Sequence, residues 1–311
     1  MEPTLITVAV IIPTRNRAVT LEKTLNTVAQ QNYQPAEIIV IDASDNDDSM
    51  QVCTNPVNGL RSSLIWKKAE KRGAAVQRNQ AMALTKMPFI GFMDDDVYLE
   101  ANCIERIWNC FQTFDKVGGA NALITNQQFH PLGRISRTVY SLFASKETLN
   151  NLEGKSIGPT VNFLSSEKNP EPFIRVDWLN LGLTIYRREA LPDPVFDPHF
   201  KGYSFMEDAA LSMIVSRNWK LYTVRDARIY HDSQPGDHKN NVEQLAEMEL
   251  VNRYFIMTKI QHKNALKYKL QLIVFQLFYI TASKKLFSIS SWKGKFKAIK
   301  KILSKKLSAN E

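Results

Sequence analysis

Leu5 to Ile12 is a continuous β-favouring, mostly apolar run, the pattern of a strand buried on both faces. Such strands lie in parallel sheets covered by helices on both sides, so this run restricts the chain to α/β architectures. Pro13 ends it. A helix follows with Leu21, Leu25, Val28 and Ala29 at helical spacing, Thr20 as its cap and Pro35 beyond its end. Ile38 to Ile41 is a second strand, stopped by Asp42 and the polar stretch Ser44 to Asp48. Leu64 to Trp66 is a weaker third strand, Ala74 to Thr85 a helix and Phe89 to Met93 a fourth strand. This alternation predicts βαβ units in a mostly parallel central sheet flanked by helices. Farther on, the pattern predicts a helix over Leu99 to Phe114, a strand over Val117 to Thr125 and a mostly irregular stretch over 126–175. A strand over Leu181 to Tyr186, a helix over Ala209 to Asn218 opened by Glu207-Asp208, and short strands Leu221 to Val224 and Arg228 to His231 follow. Beyond Val242 the chain reads as helical.

Open α/β sheets bind ligands outside the carboxyl ends of their strands. Pro13-Thr14-Arg15-Asn16-Arg17, Asp42 to Asp45 and Asp94-Asp95-Asp96 all follow strand ends, so they are expected to face one crevice. Three adjacent carboxylates repel one another unless a cation sits among them, and Mg²⁺ or Mn²⁺ commonly bridges such groups to substrate phosphates. Taken alone, the acidic run is either that site or a solvated turn. Glu207 and Asp208, taken alone, are acids favourably placed at a helix start.

The order of these segments resembles the inverting glycosyltransferases of family 2, with the GT-A (Rossmann-like) fold, over about residues 5–235. Val10 to Arg17 is similar to that family's opening strand and nucleotide loop, and Ile39 to Asp45 to its second strand, whose acids hold base and ribose. Gly73 followed by Arg78-Asn79-Gln80-Ala81 resembles the helix start beside the diphosphate, and Met93 to Asp96 the metal motif. Trp178-Leu179-Asn180-Leu181-Gly182 resembles the acceptor-side strand, Phe205-Met206-Glu207-Asp208 the segment with the catalytic base, and Ala227 to His231 the late strand with its His.

The resemblance implies Asp208 as base, with Phe205, Met206 and Leu211 as an apolar flank raising its pKa. It implies Glu207, Trp178 and Gly182 on the acceptor side. The nucleotide-sugar would meet Pro13, Thr14, Arg15, Asn16, Arg17, Asp42, Asp45, Gly73, Arg78, Asn79, Asp94 and Asp95, with Asp42 ranked above Asp45 because it stands at the strand end. Mn²⁺ or Mg²⁺ would be held by Asp96, Asp94 and His231. The family often carries a second acid two residues after the base, where this chain has Ala210. The implied partners are a nucleotide-sugar donor and a saccharide or lipid-linked acceptor, in surface polysaccharide or glycan synthesis. A nucleotidyltransferase is the alternative enzyme, although Pro13 to Arg17 lacks the glycines its phosphate loop would want. A lipid- or nucleic-acid-binding protein without catalysis is a third reading, and it leaves the acids idle.

Charge separates the two ends of the chain. From Lys259 onward there are thirteen Lys, no Arg or Asp and only Glu311, a net +12 against +9 for the whole, leaving −3 for residues 1–258. The expected organisation is a catalytic domain over 1–240, with a nucleotide half to about 98 and an acceptor half over 99–240, and a Lys-rich helical extension over 241–311. Leu270 to Ile280 is about half the length a spanning helix needs. With Lys267, Lys269, Lys284, Lys285 and the lysines from Lys293 to Lys306 around it, the tail reads as an interfacial segment inserting around Leu272, Phe275 and Phe278, or else as a helix packed on the domain. Lysines without arginines disfavour nucleic acid. Cys53, Cys103 and Cys110 are too few for a disulfide framework and read as core thiols. The absence of a leader pattern before the first strand points to the cytoplasm, with a peripheral place on the inner face of the cell membrane as the tail's contribution.

Overall fold

The first strand outruns its apolar stretch: β1 spans Thr4–Thr14 and carries the chain past Pro13. The computed structural model describes residues 2–55, 57–127, 129–168, 170–233, 241–282 and 288–304. The chain divides into two units, Met1–Phe129 with Leu164–Gln234, and His130–Phe163 with Pro235–Glu311. The expected boundary near 240 lies outside the described residues, and His130–Phe163 groups with the C-terminal segment rather than with the first unit.

In the first unit, β1 is followed by α1 (Ala18–Ala29), β2 (Tyr33–Asp42), α2 (Asp48–Thr54), β3 (Ser63–Lys68), α3 (Ala74–Met82) and β4 (Phe89–Met93). Next come β5 (Val97–Leu99), α4 (Cys103–Thr113) and β6 (Val117–Ile124). Strands β1 to β4 are parallel in the order β3-β2-β1-β4. Their carboxyl ends are level, with Thr14 opposite Asp42 and Asp42 opposite Lys68. Val8, Val10 and Ile12 join a core with Leu21, Leu25, Val28, Cys103 and Ile107. Ile11, Ile39 and Ile41 are equally buried but, by the two-residue period of a strand, serve the opposite face. Both faces are therefore closed, as the apolar run requires.

Several sequence expectations need correction. Thr20 does not cap α1: the helix begins at Ala18, and the Thr20 hydroxyl donates to the Arg17 carbonyl at 2.9 Å. Pro35 lies inside β2, opposite Ile6. The helix expected from Leu99 starts at Cys103, because Val97–Leu99 is taken by β5. All three cysteines are free and buried, as expected for core thiols.

The remaining strands of this sheet make it mixed. β9 (Phe173–Val176), β10 (Leu183–Arg187) and β11 (Lys220–His231) complete it, after two short strands of the second unit, β7 (Ser156–Ile157) and β8 (Val161–Asn162). β10 lies antiparallel between β4 and β6, and β11 runs parallel to β6 and antiparallel to β5 and β9. The two short strands expected over 221–231 are one strand, with a register shift against β6 between Val224 and Arg228. Gly118 on β6 sits where a Cβ would strike Trp219 Cβ and lie 2.9 Å from Val215 Cγ1. Overpacking of this kind costs about 1–3 kcal/mol. Gly118→Ala is therefore expected to lower the urea midpoint, and an unchanged midpoint would show that Trp219 can move aside.

The second unit holds α5 (Arg134–Tyr140), α6 (Lys146–Asn150) and the β7–β8 pair, so the stretch expected to be irregular has short elements of its own. In the first unit, α7 (Glu207–Val215) precedes β11, and the second unit resumes with α8 (Val242–Phe255), which continues as a π-helical turn over Ile256–Ile260. The long helices α9 (Leu266–Ala282) and α10 (Ile289–Leu303) follow. Their common core is Leu250, Met257, Leu272 and Ala298. At its centre the Glu249 carboxylate accepts from Arg253 at 2.6 Å, from Gln276 at 3.1 Å and from Lys295. Burial alone would raise the Glu249 pKa, but Arg253 and Lys295 outweigh it and hold the group down to about 2. Arg253 also donates to the carbonyls of Pro159 and Thr160 and sits 4.7 Å over the Phe275 ring. No helix among the described residues is long and apolar enough to cross a membrane.

Candidate active site

The three loops at the carboxyl ends of β1, β2 and β4 meet, as the strand order requires. At the end of β1 the Thr14 hydroxyl donates to Asp95 at 2.6 Å, and Arg17 bridges Asp95 at 3.0 Å and Asp96 at 3.2 Å. Asp95 is buried, and that burial pushes its carboxyl up to about 6 against the pull of Arg17 and Thr14. Thr24 on α1 donates to the Asp95 carbonyl at 2.9 Å. Asp95 thus faces into the fold and anchors the loop, while its two neighbours face outward from it.

Asn16, in the left-handed region at φ 55°, locks the first loop to the second. Its amide N–H donates to Ser44 Oγ at 2.7 Å, and its side chain accepts from the Asp45 N–H at 2.8 Å. Asp42 is fully buried and accepts from the Ser44 N–H at 2.8 Å and the Trp66 indole at 3.3 Å. Asp45 is the exposed carboxylate of the pair and is met by Arg15 at 3.6 Å and by Arg72.

Gly73 caps α3 at φ 139°, and a Cβ there would lie 3.2 Å from the backbone of Gly202, so the close approach of the two chains needs a glycine. Gln77, absent from the sequence expectations, donates to the carbonyls of Thr14 at 3.1 Å and Ile41 at 2.7 Å and ties two strand ends to α3. The only sign of it in the sequence is a polar residue on the buried, alanine-rich face of that helix. Asn79 needs correcting: its amide group both donates to and accepts from the Phe196 backbone, at 2.7 and 2.9 Å, and so fixes the Leu191–Phe200 segment rather than presenting itself to the crevice.

Arg78 is the centre of the arrangement. Its buried guanidinium donates to Asp94 at 2.7 Å and to Glu207 at 2.9 Å, joining the acidic run to the start of α7. Glu207 and Asp208 follow a segment in which Gly202, Ser204 and Met206 all have positive φ, at 64°, 59° and 75°. For a residue as bulky as Met206 that conformation is strained, and strain of this kind collects at functional sites. Burial pushes both carboxyls up, Asp208 to about 6, while Arg78 pulls Glu207 back. Asp208 accepts from the Ala209 N–H at 2.7 Å. Met206 and Leu211 are buried as the expected flank, whereas Phe205 is exposed and stacks with Tyr203, ring centroids 6.3 Å apart.

Pairing of β11 with β5 sets His231 opposite Val97 and brings its Nε2 to 3.1 Å from Asp96 Oδ1. Asn126 holds the His231 backbone from both sides, at 2.9 and 3.1 Å. Asp94, Asp96 and His231 each offer one ligand atom, all within 4.8 Å of one another. Two carboxylates and one imidazole fit Mn²⁺ or Mg²⁺ in donor type. Trp178 and Gly182 lie in the turn before β10, not in a strand; the Gly182 carbonyl accepts from the Asp94 N–H at 3.2 Å, and a Cβ on Gly182 would meet Ile229 at 3.0 Å. That places Gly182 against the acidic run.

Comparison with known proteins follows the same lines. A family model described as "Glycosyl transferase family 2" matches residues 9–165. The glycosyltransferase AglE of Haloferax volcanii is 26% identical over 167 residues, 52% of this chain and 53% of that protein. A GalNAc(5)-diNAcBac-PP-undecaprenol beta-1,3-glucosyltransferase of Campylobacter jejuni is 32% identical over 100 residues, 32% of each chain. The match thus spans about half or less of the length of these curated relatives. Among solved structures, the mannosyltransferase PcManGT from Pyrobaculum calidifontis, in complex with GDP-Man and Mn²⁺, superposes with a TM-score of 0.52 at 15% identity, covering 98% of this chain and 76% of that one. S. aureus TarS 1-349, in complex with UDP-GlcNAc, has a TM-score of 0.52 at 17% identity, covering 90% and 83%. At such identities the structural likeness establishes the fold, GT-A, and nothing finer.

Proposed function

The chain belongs to glycosyl transferase family 2, and we propose that it is an inverting, metal-dependent transferase moving a sugar from a nucleotide-sugar to a saccharide or lipid-linked acceptor. One observation carries the reading: Arg78 gathers Asp94 of the acidic run and Glu207 beside Asp208 onto a single guanidinium. Carboxylates far apart in sequence thereby face one reaction centre. A relative whose printed name gives an undecaprenol-linked acceptor supports the lipid-linked class, and neighbours solved with GDP-Man and UDP-GlcNAc support the donor class.

Each group has work to do in that reaction. Asp208 takes the proton of the acceptor hydroxyl as the oxygen attacks the anomeric carbon from the side opposite the diphosphate, through an oxocarbenium-like state. Glu207 is held by Arg78 and orients the acceptor. A divalent ion on Asp94, Asp96 and His231 would neutralise charge on the departing diphosphate. Arg15 and the Asn16–Asp45 loop lie where the nucleoside is expected, with Asp42 setting that loop from beneath. Tyr203 and Phe205, side by side near the base, offer the apolar ring faces on which the C–H face of a sugar packs.

With Glu207 tied to Arg78, one carboxylate remains for the chemistry, so the displacement is single and the anomeric configuration inverts. Proton NMR of the product tests this, and a retained configuration would overturn the mechanism. The pH profile follows from Asp208. Its conjugate acid titrates near 6, the base form is the active one, and kcat at saturating Mn²⁺ should be flat above that pH and fall about tenfold per unit below it. A rate unchanged down to pH 5 would contradict the assignment.

A further inference from the structure

Helix α9 is apolar on two opposite faces. Leu272, Phe275 and Gln276 are buried against the rest of the second unit, which corrects the expectation that Leu272 and Phe275 are available for insertion. Phe278 packs edge-on to Tyr140, ring centroids 5.7 Å apart. On the far side, Leu266 is 71% exposed and Leu270, Ile273 and Leu277 are 50–54% exposed. Their spacing of four, three and four residues aligns them in one stripe, with exposed Lys267 and Lys269 at its margins. Helix α10 repeats the design: Ile289, Phe296, Ile299 and Leu303 are 43–77% exposed, and Lys293, Lys297, Lys300 and Lys301 line the adjacent side. The inward faces account for packing, but nothing within the unit requires the outward stripes.

We propose that the outward faces of α9 and α10 form one docking surface for an anionic lipid bilayer, the apolar stripes entering the acyl boundary while the flanking ammonium groups meet headgroups. Charge selects this occupant: no Asp or Glu occurs from Lys259 to Ser304. A second copy of the chain would set one lysine-rich face against another with no acid to meet it. The inference stands apart from the reading of the active site, since none of these residues belongs to it.

The full chain is tested by co-sedimentation with vesicles of phosphatidylcholine containing phosphatidylglycerol, against phosphatidylcholine alone. Binding to the anionic vesicles is expected, weakened by salt. The variant Leu270→Asp/Ile273→Asp on α9 and the variant Phe296→Asp on α10 should each lower partitioning about tenfold or more. Lys293→Glu/Lys300→Glu should lower it on the order of a hundredfold, since each Lys near an anionic surface contributes about fivefold. Melting temperatures within a few degrees of wild type establish folding, and if an apolar variant does not fold the charge variant decides. Absence of binding to anionic vesicles at low salt, equal binding to neutral ones, or wild-type partitioning by a folded variant would overturn the proposal. So would a dimer in light scattering that Leu270→Asp/Ile273→Asp dissociates.

Discussion

Asp208→Asn should lower turnover by about 10² to 10⁴ while leaving nucleotide-sugar affinity within a few-fold of wild type, the effect expected when a positioned general base is lost. The substitution is nearly isosteric and keeps an oxygen to accept the Ala209 N–H, so the first turn of α7 persists. The two roles open to this residue separate cleanly here. A helix-start acid whose only contribution is to the dipole would change stability by about 0.3–1 kcal/mol and turnover not at all. Steady-state kinetics beside a thermal melt distinguishes them, and a wild-type kcat in the variant would remove Asp208 from the chemistry.

Asp96→Ala should act on the other half of the reaction, reducing metal-dependent donor affinity at least about 10²-fold, since even a group supporting a metal ligand typically costs 10–100-fold when removed. Asp96 is buried and faces Arg17 at 3.2 Å and His231 at 3.1 Å. Arg17 keeps Asp95 at 3.0 Å in the variant, so the loop retains a counter-charge and the protein is expected to fold. Titration of Mn²⁺ in the presence of donor measures the loss directly. Equal donor affinity in wild type and variant, with and without metal, would show that the Asp94, Asp96 and His231 cluster holds no ion.

The parts of this molecule that were legible in sequence are those where one physical signal acts alone. Strands β1, β2 and β4 are buried on both faces, so their composition announces them, and the acids that follow must stand at their ends. Strand β5 escaped because three residues are too few to show a period, yet its pairing with β11 is what brings His231 to Asp96. The direction of each acid in the run was equally hidden. Adjacent aspartates look alike in sequence, but Thr14 and Arg17 draw Asp95 inward and Arg78 draws Asp94 toward Glu207. Asn79 misled because a polar residue in a binding segment can serve the neighbouring backbone as readily as a ligand. In the C-terminal helices hydrophobicity identified the element but not its inner face, which depends on where Glu249 and Arg253 of α8 place their partners.

The central claim is that a nucleotide-sugar binds through a divalent ion at the ends of β1, β2 and β4. Calorimetric titration of the chain with UDP- and GDP-linked sugars, in Mn²⁺ and again in EDTA, tests it most directly. The account predicts saturable binding of at least one donor with the metal present and its loss in EDTA. Failure of every donor to bind in Mn²⁺ and in Mg²⁺, or the same affinity with the metal removed, would contradict it.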